Sequence, residues 1–331
     1  MVATPLSTGT SYEVMIDVTH PEGYEITEVL FDETLKLIEG MQCELTQISA
    51  TSTRLRYPLS YLGWVDRYFI RGIRYRSSAD AELQTMTVML DTGIAPQYLE
   101  ISSAGAWNNL MDKNNLGQKG YNIRIVGDLD FMDANGTPMA VNTGAIVNRM
   151  IGQGSPDGSG GVVYPTISNI TLTGATESFV AAAFGSVSNL NLSNISITSE
   201  NTTIKSNAGV FGSVCGDVKN INIENVTITA FKAETSGIIG SVDGQVANVK
   251  MDGVTVISQN NSRGTGGLVG VLTNKASIDN VQAKNIVVRA NTAYVGGIFG
   301  YEYSASHITN CSIENFMVGC IDQSYAGGIG G

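Results

Sequence analysis

The chain has 331 residues, 43% of them hydrophobic and only 15% charged, with a net charge of −11. That apolar content excludes a disordered polymer, and acidity without a basic tract excludes a protein that grips nucleic acid through its phosphates. No apolar run reaches the roughly 18 residues of a membrane-spanning helix, and 38 Gly against seven Pro favours stacked strands joined by tight turns.

The opening segment, MVATPLSTGT, has neither a charged n-region nor an apolar h-region. A leader removed beforehand and a chain that never had one both fit it. Residues 1–97 then carry YEVMIDVTH, EITEVLFD, QCELTQISA, RYFIRGIRY and TMTVMLD, which alternate as strands do. The turn signals between them are Pro21-Glu22-Gly23, Pro58 and Gly63. LKLIEGMQ reads as an apolar hairpin turn. Several short strands at this spacing predict an Ig-like β-sandwich over residues 1–97. Arg67, Arg71, Arg74 and Arg76 form the densest basic stretch. They read as a solvated strand face, with a small anion or glycan contact as the functional alternative.

From residue 98 onward a β-helix is expected. AWNNLMDKNN places Trp107, Leu110 and Met111 on one side of a short helix near residues 104–116, a cap over the open end of the stack. YNIRIVGDLDF follows as a strand that ends in acids. Asp128, Asp130 and Asp133 offer oxygens to calcium, but without the spacing or the distal Glu of an EF-hand loop. A strand end followed by an Asx-type turn is the structural reading of them, with calcium as the functional alternative. Ser155 to Gly161, SPDGSGG, is a loop by composition, and ISNITLTG from Ile167 is a degenerate copy of the block that follows.

Repeats dominate the rest. FGSV at Phe184 recurs as FGSV at Phe211, IGSV at Ile239, VGVL at Val269 and FGYE at Phe299. Aligned on Gly185, Gly212, Gly240, Gly270, Gly300 and Gly331, the steps are 27, 28, 30, 30 and 31 residues. A second block starts at Asn189, Asn220, Asn248, Asn280 and Asn310, as in NINIENVTI. Its alternation breaks at Asn194, Asn225, Gly253, Asn285 and Asn315, which predicts a sharp corner there. Each repeat then holds about three short strands, and stacked repeats share one core. Equivalent asparagines in successive coils lie about 4.8 Å apart, so the first Asn row predicts a hydrogen-bonded ladder. Parallel crossovers favour right-handed winding.

GGLVG at Gly266 and GGIFG at Gly296 carry a resemblance to GLUG repeats, and EISSAGAWNNL…YNIRIVGDLDF resembles the segment that leads into them. The resemblance covers about residues 98–331, with the repeats proper over 184–331. It implies a surface or secreted adhesin-like protein of the Bacteroidota type. The first 97 residues resemble the small β-sandwich modules found beside such repeats in general pattern only. GVFGSV and GIIGSV lack the first glycine of the pair, and MIGQGSPDGSGG matches the usual Gly-rich turn only loosely.

Catalytic chemistry finds little support. Glu224, Asp252 and Glu314 share one repeat position, but Ser193 and Lys284 fill it in the other copies. His20 and His307 have no nucleophile placed beside them by any motif, and neither GxSxG nor a GxGxxG opening a helix occurs. Cys43, Cys215, Cys311 and Cys320 are not at CxxC spacing, so no zinc site is expected. Cys215 and Cys311 read as small core residues, and Cys311 with Cys320 as thiols or a disulfide across a turn. Tyr294, Tyr301, Tyr303 and Tyr325 cluster in the last two copies and suit stacking on sugar rings. Core or edge packing is their structural alternative.

These features predict a non-catalytic cell-surface or secreted scaffold that binds a host glycan or surface protein, with no cofactor beyond calcium. The alternative is a carbohydrate-active β-helix, either a polysaccharide lyase or glycoside hydrolase, or a phage tail component on a virion. A stack that ends at Gly331 within a fresh repeat calls for further repeats or a partner to cover it.

Overall fold

The computed structural model describes residues 2–5, 12–31, 44–59, 69–77, 81–91, 98–111, 121–174, 178–200, 207–273, 276–291, 294–304, 306–320 and 325–331. The chain forms two units, Met1–Gln97 and Tyr98–Gly331.

The first unit contains β1 (Val2–Pro5), β2 (Tyr12–Thr19), β3 (Glu25–Phe31), β4 (Glu44–Ser49), β5 (Ser52–Leu59), β6 (Phe69–Arg76) and β7 (Gln84–Asp91). They make two antiparallel sheets, in the orders β1-β2-β5-β4 and β3-β6-β7. Leu55, Ile26 and Ile73 are its buried apolar residues among those described. Gly23, at φ +84°, makes the turn before β3. Pro58 is not a turn residue. It lies within β5 opposite Glu13, beyond the last residue of β5 that pairs with β4, so its missing N–H breaks no bond on that side. Arg74 and Arg76 pair with Glu28 and Glu25 at 2.7 Å on the neighbouring strand. They are therefore a solvated strand face, held by cross-strand ion pairs that stabilise little. Gly63, Arg67, LKLIEGMQ and the side chain of Arg71 lie outside the described residues.

The second unit is a parallel β-solenoid of about six turns. Strand Val187–Ser199 lies beside Val218–Ser236, then Gln245–Gly266, then Ser277–Ala290, then Ser312–Cys320. Thr166–Gly174 stacks before them, so the degenerate copy is a true coil. Inward residues such as Ile221, Ile223, Val226 and Ile228 are buried, and one apolar cluster runs from Ile101 to Phe299.

Each coil turns at two left-handed corners. Asn169, Asn194, Asn225, Asn285 and Asn315 have φ of 60°, 53°, 53°, 54° and 48°, with Gly253 at 68° in the same row. That is the corner the broken alternation predicts. Asn189, Asn220, Asn248, Asn280 and Asn310 have φ of 52–60° as well, so the predicted ladder row is also a corner row. Asparagine suits both because it enters the left-handed region cheaply.

The ladder forms in one direction. Asn220 Nδ2 donates to Asn189 Oδ1 at 2.8 Å, Asn248 to Asn220 at 3.1 Å and Asn280 to Asn248 at 2.9 Å. These steps span 31, 28 and 32 residues, the true coil lengths at this corner. On the last coil Asn310 donates to Asp279 instead, at 2.8 Å. The Thr309 hydroxyl and the Asn310 amide together hold the Asp279 carboxyl below its ordinary value.

In the other row Gly253 interrupts the ladder, and Asn285 Nδ2 turns to Asp252 Oδ1 at 2.6 Å. Gly253→Asn is expected to stabilise the chain by about 0.5–1 kcal/mol, through a stiffer unfolded chain and a restored amide contact. A Cβ there would stand 2.8 Å from Asn225 Oδ1, a side-chain atom that can rotate aside. Urea denaturation checks this; a net loss of stability would mean the row does not work as a ladder.

The glycine rows correct the repeat alignment. Phe211, Ile239, Val269 and Phe299 are neighbours in register, as expected. In the first copy, however, Val180 and not Phe184 lies beside Phe211, and Ala183 lies beside Val214. The first FGSV is thus four residues out of register, with Phe184 exposed next to the turn. Gly185 stacks under Gly216 rather than Gly212; a Cβ on Gly216 would meet Gly185 at 2.5 Å. The step of 27 residues is therefore not a coil length.

Helix α1 (Ala104–Met111) starts at Ser103, whose Oγ accepts from Ala106 N at 3.2 Å as an N-cap. It joins the solenoid core through Trp107, which is 0% exposed. The indole stacks on Phe179 at 4.4 Å, and its Nε1 donates to Asn142 O at 3.1 Å. At the other end Phe316 continues the row of Ile286 but is 48% exposed, against 0% for Ile286.

Candidate functional site: a tyrosine platform

All four singled-out tyrosines converge on one surface. Val295 pairs with Ala326, which puts Tyr294 and Tyr325 at equivalent places on adjacent coils. Strand spacing then brings their rings together at 5.2 Å and 9°, a parallel stack. Tyr301 lies 4.7 Å from Tyr294 at 34°, and Tyr303 stands edge-on to Tyr301 at 5.0 Å and 83°. One coil earlier the place of Tyr294 belongs to Gly264. A Cβ there would meet the Tyr301 Cβ at 3.0 Å, so the glycine makes room for the platform.

Tyr325 and Tyr303 are the outermost members, 66% and 49% exposed, while Tyr294 and Tyr301 are half-buried beneath them. The Arg263 guanidinium sits 5.4 Å from the centre of the Tyr303 ring and pairs with Glu234 at 2.8 Å. Sequence reading missed both, because neither residue recurs in the repeat. The result is an aromatic surface with phenol hydroxyls and one cation at its rim. Flat apolar faces with polar edges match the C–H face and hydroxyl rim of a sugar ring.

The three aspartates do separate work. Asp128 Oδ1 accepts from Thr166 N at 2.8 Å, and Asp130 Oδ1 from Met132 N and Asn169 Nδ2 at 3.0 and 2.8 Å. Asp133 Oδ1 accepts from Asn135 N and Thr137 N at 2.9 and 2.8 Å. The Thr137 N–H leads in holding Asp133 below its ordinary pKa. Asp133 holds a turn, whereas Asp128 and Asp130 also tie their strand end to the next coil, and among the described residues no three His, Cys, Asp or Glu side chains gather as a metal site.

The acid row of the repeat is real. Ser193, Glu224, Asp252, Lys284 and Glu314 are register neighbours on successive coils. Together with Asn222, Lys250 and Gln282 they line an open groove of about 890 Å³ between the two asparagine corners.

Cys215 is not a core residue. It follows the strand Gly209–Val214 and is exposed, because the corrected register places it at the turn. Cys311 does pack against the core, and its Sγ donates to Thr309 O at 3.1 Å instead of joining Cys320 in a disulfide. Cys43 lies outside the described residues. His20 Nε2 meets Thr53 Oγ1 at 2.9 Å within the first unit, and His307 is exposed on the strand His307–Thr309.

Comparison with family models, characterised proteins and solved structures returns no match. Fold and site alone therefore define the class, a parallel β-solenoid bearing an aromatic platform. Among the described residues no helix is long and apolar enough to cross a membrane.

Proposed function

We propose that this chain is a non-catalytic, secreted or surface-displayed adhesion scaffold of the GLUG-repeat kind that binds a glycan through its tyrosine platform. In this reading the two antiparallel sheets of the first unit form a β-sandwich module, and the solenoid winds right-handed. The observation that carries the reading is the stack of Tyr294 on Tyr325, flanked by Tyr301 and Tyr303. Four aromatic rings held on a β-sheet lose little entropy on binding, which favours recognition of a weakly polar ring face.

Calorimetric titration with short neutral and acidic oligosaccharides tests this. Tyr325→Ala combined with Tyr303→Ala is expected to weaken binding by at least about tenfold, as loss of a contact worth about 1–2 kcal/mol would. Both side chains are exposed, so circular dichroism should stay unchanged. Absence of any glycan binding by the parent chain would sink the reading. The register pair Glu224 and Asp252 supports one alternative, a carbohydrate-active β-helix. New reducing ends or unsaturated products on incubation with polysaccharide would decide for that alternative.

A further inference from the structure

We propose that the groove between the two asparagine corners is a second binding site, taking a linear, uncharged polysaccharide laid along the solenoid axis. It shares no residue with the tyrosine platform and does not depend on it.

The floor of the groove is the short strand between the corners, repeated on each coil from Asn191 to Glu314. Every coil turns two side chains outward from this strand, such as Asn222 with Glu224 and Gln282 with Lys284. Its volume, about 890 Å³, falls in the range of small-molecule sites, roughly 300–1,000 Å³.

The charges here are unengaged with one another. Asp252, Lys284 and Glu314 stand in register on adjacent coils, yet among the described residues none of them forms an ion pair, and neither do Glu224 and Lys250; Asp252 Oδ1 accepts from Asn285 Nδ2 at 2.6 Å. Elsewhere on the solenoid Asp217 pairs with Lys219 and Glu234 with Arg263. Unpaired, exposed carboxylates and ammonium groups in a groove are ready to bind hydroxyls by charge-assisted hydrogen bonds.

Charge and period select the ligand. Three acids against two lysines give almost no net field, so the groove does not suit a polyanion, which needs a row of Lys or Arg. Outward pairs recur about every 4.8 Å, the strand spacing, which is close to the length of one sugar unit in an extended chain. An extended peptide repeats its side chains on one face about every 6.6–6.8 Å and would fall out of step. One sugar per coil follows, over five coils from Asn191 to Ser312.

The test uses the whole chain against neutral oligosaccharide ladders of β-linked glucose, xylose and mannose, with polygalacturonate as the charged control. For at least one ladder, affinity is expected to rise with each added sugar up to about five and then level off. Glu224→Ala with Lys284→Ala should weaken it by about tenfold, and the conservative Glu224→Gln with Lys284→Gln should retain part of it. Tyr325→Ala with Tyr303→Ala should leave the length dependence intact, which separates this site from the platform. Among the described residues neither the Glu224 nor the Lys284 side chain makes a hydrogen bond or ion pair, so folding should persist in both variants. Binding that stops growing after two sugars, tighter binding of polygalacturonate, no binding of any ladder, or a response only to the tyrosine changes would each overturn the proposal.

Discussion

Trp107→Ala is expected to lower stability by about 3–5 kcal/mol, the cost of emptying a large buried aromatic site. The indole is fully enclosed and stacks on Phe179 at 4.4 Å, and Phe179 in turn meets Phe131 edge-on at 5.7 Å. Removing it leaves a cavity beside Phe179 and strips Asn142 O of its donor. Trp107→Phe keeps most of the ring and loses the N–H, so its cost should be smaller, about 1–3 kcal/mol. A solenoid is stabilised coil by coil through nearest neighbours. The damage should therefore be local. Hydrogen exchange should rise first at Tyr121–Ile125 and the neighbouring strand Ala145–Gly152, while Ser277–Ala290 stays protected. Uniform loss along the stack, or a cost below about 1 kcal/mol, would mean that α1 is not a cap.

Gly270→Val should cost about 3 kcal/mol or more, through overpacking of two adjacent backbones. A Cβ at Gly270 would stand 2.6 Å from Gly240 O, 2.9 Å from Thr235 Cβ and 3.0 Å from Ser236 N. Gly240 is placed the same way against Gly212 O, at 2.5 Å. These glycines let successive coils approach to strand spacing; a side chain there would hold two coils apart along the whole ladder. Gly319 is the control, because a Cβ on it meets nothing within 4 Å. Gly319→Ala should be neutral, or stabilise by up to about 1 kcal/mol by stiffening the unfolded chain. Thermal and urea unfolding of the pair give the comparison. Equal effects at the two positions would refute the packing argument.

Much of the solenoid is legible in the sequence because its determinants are local. Apolar alternation marks the inward rows, and a broken phase at Asn or Gly marks a left-handed corner. The second corner was legible too. Val218-Lys219-Asn220-Ile221 and its equivalents place two outward residues in a row before the apolar one, a phase break in its own right. There one asparagine serves both the corner and the amide ladder. The short helix was readable from Trp107, Leu110 and Met111, an apolar face in an otherwise polar stretch.

Stacking register was decided by the tertiary structure. FGSV at Phe184 and at Phe211 are identical as text, yet Val180 is the residue beside Phe211. A tetrapeptide fits two registers locally, and only the shared core, through Val180 and Phe179, selects between them. Cys215 followed the same error to the surface. The platform is likewise a product of register. Tyr294 and Tyr325 are far apart in the chain and stack only because Val295 and Ala326 pair. Arg263 and Glu234 join it from earlier coils without any repeating signal. The sequence by itself determined the inward rows, the turning points and the short helix, because backbone preference and burial depend on near neighbours. The structure alone decided which coil residues meet, because stacking is a long-range choice made by the volume of a core that no single repeat contains.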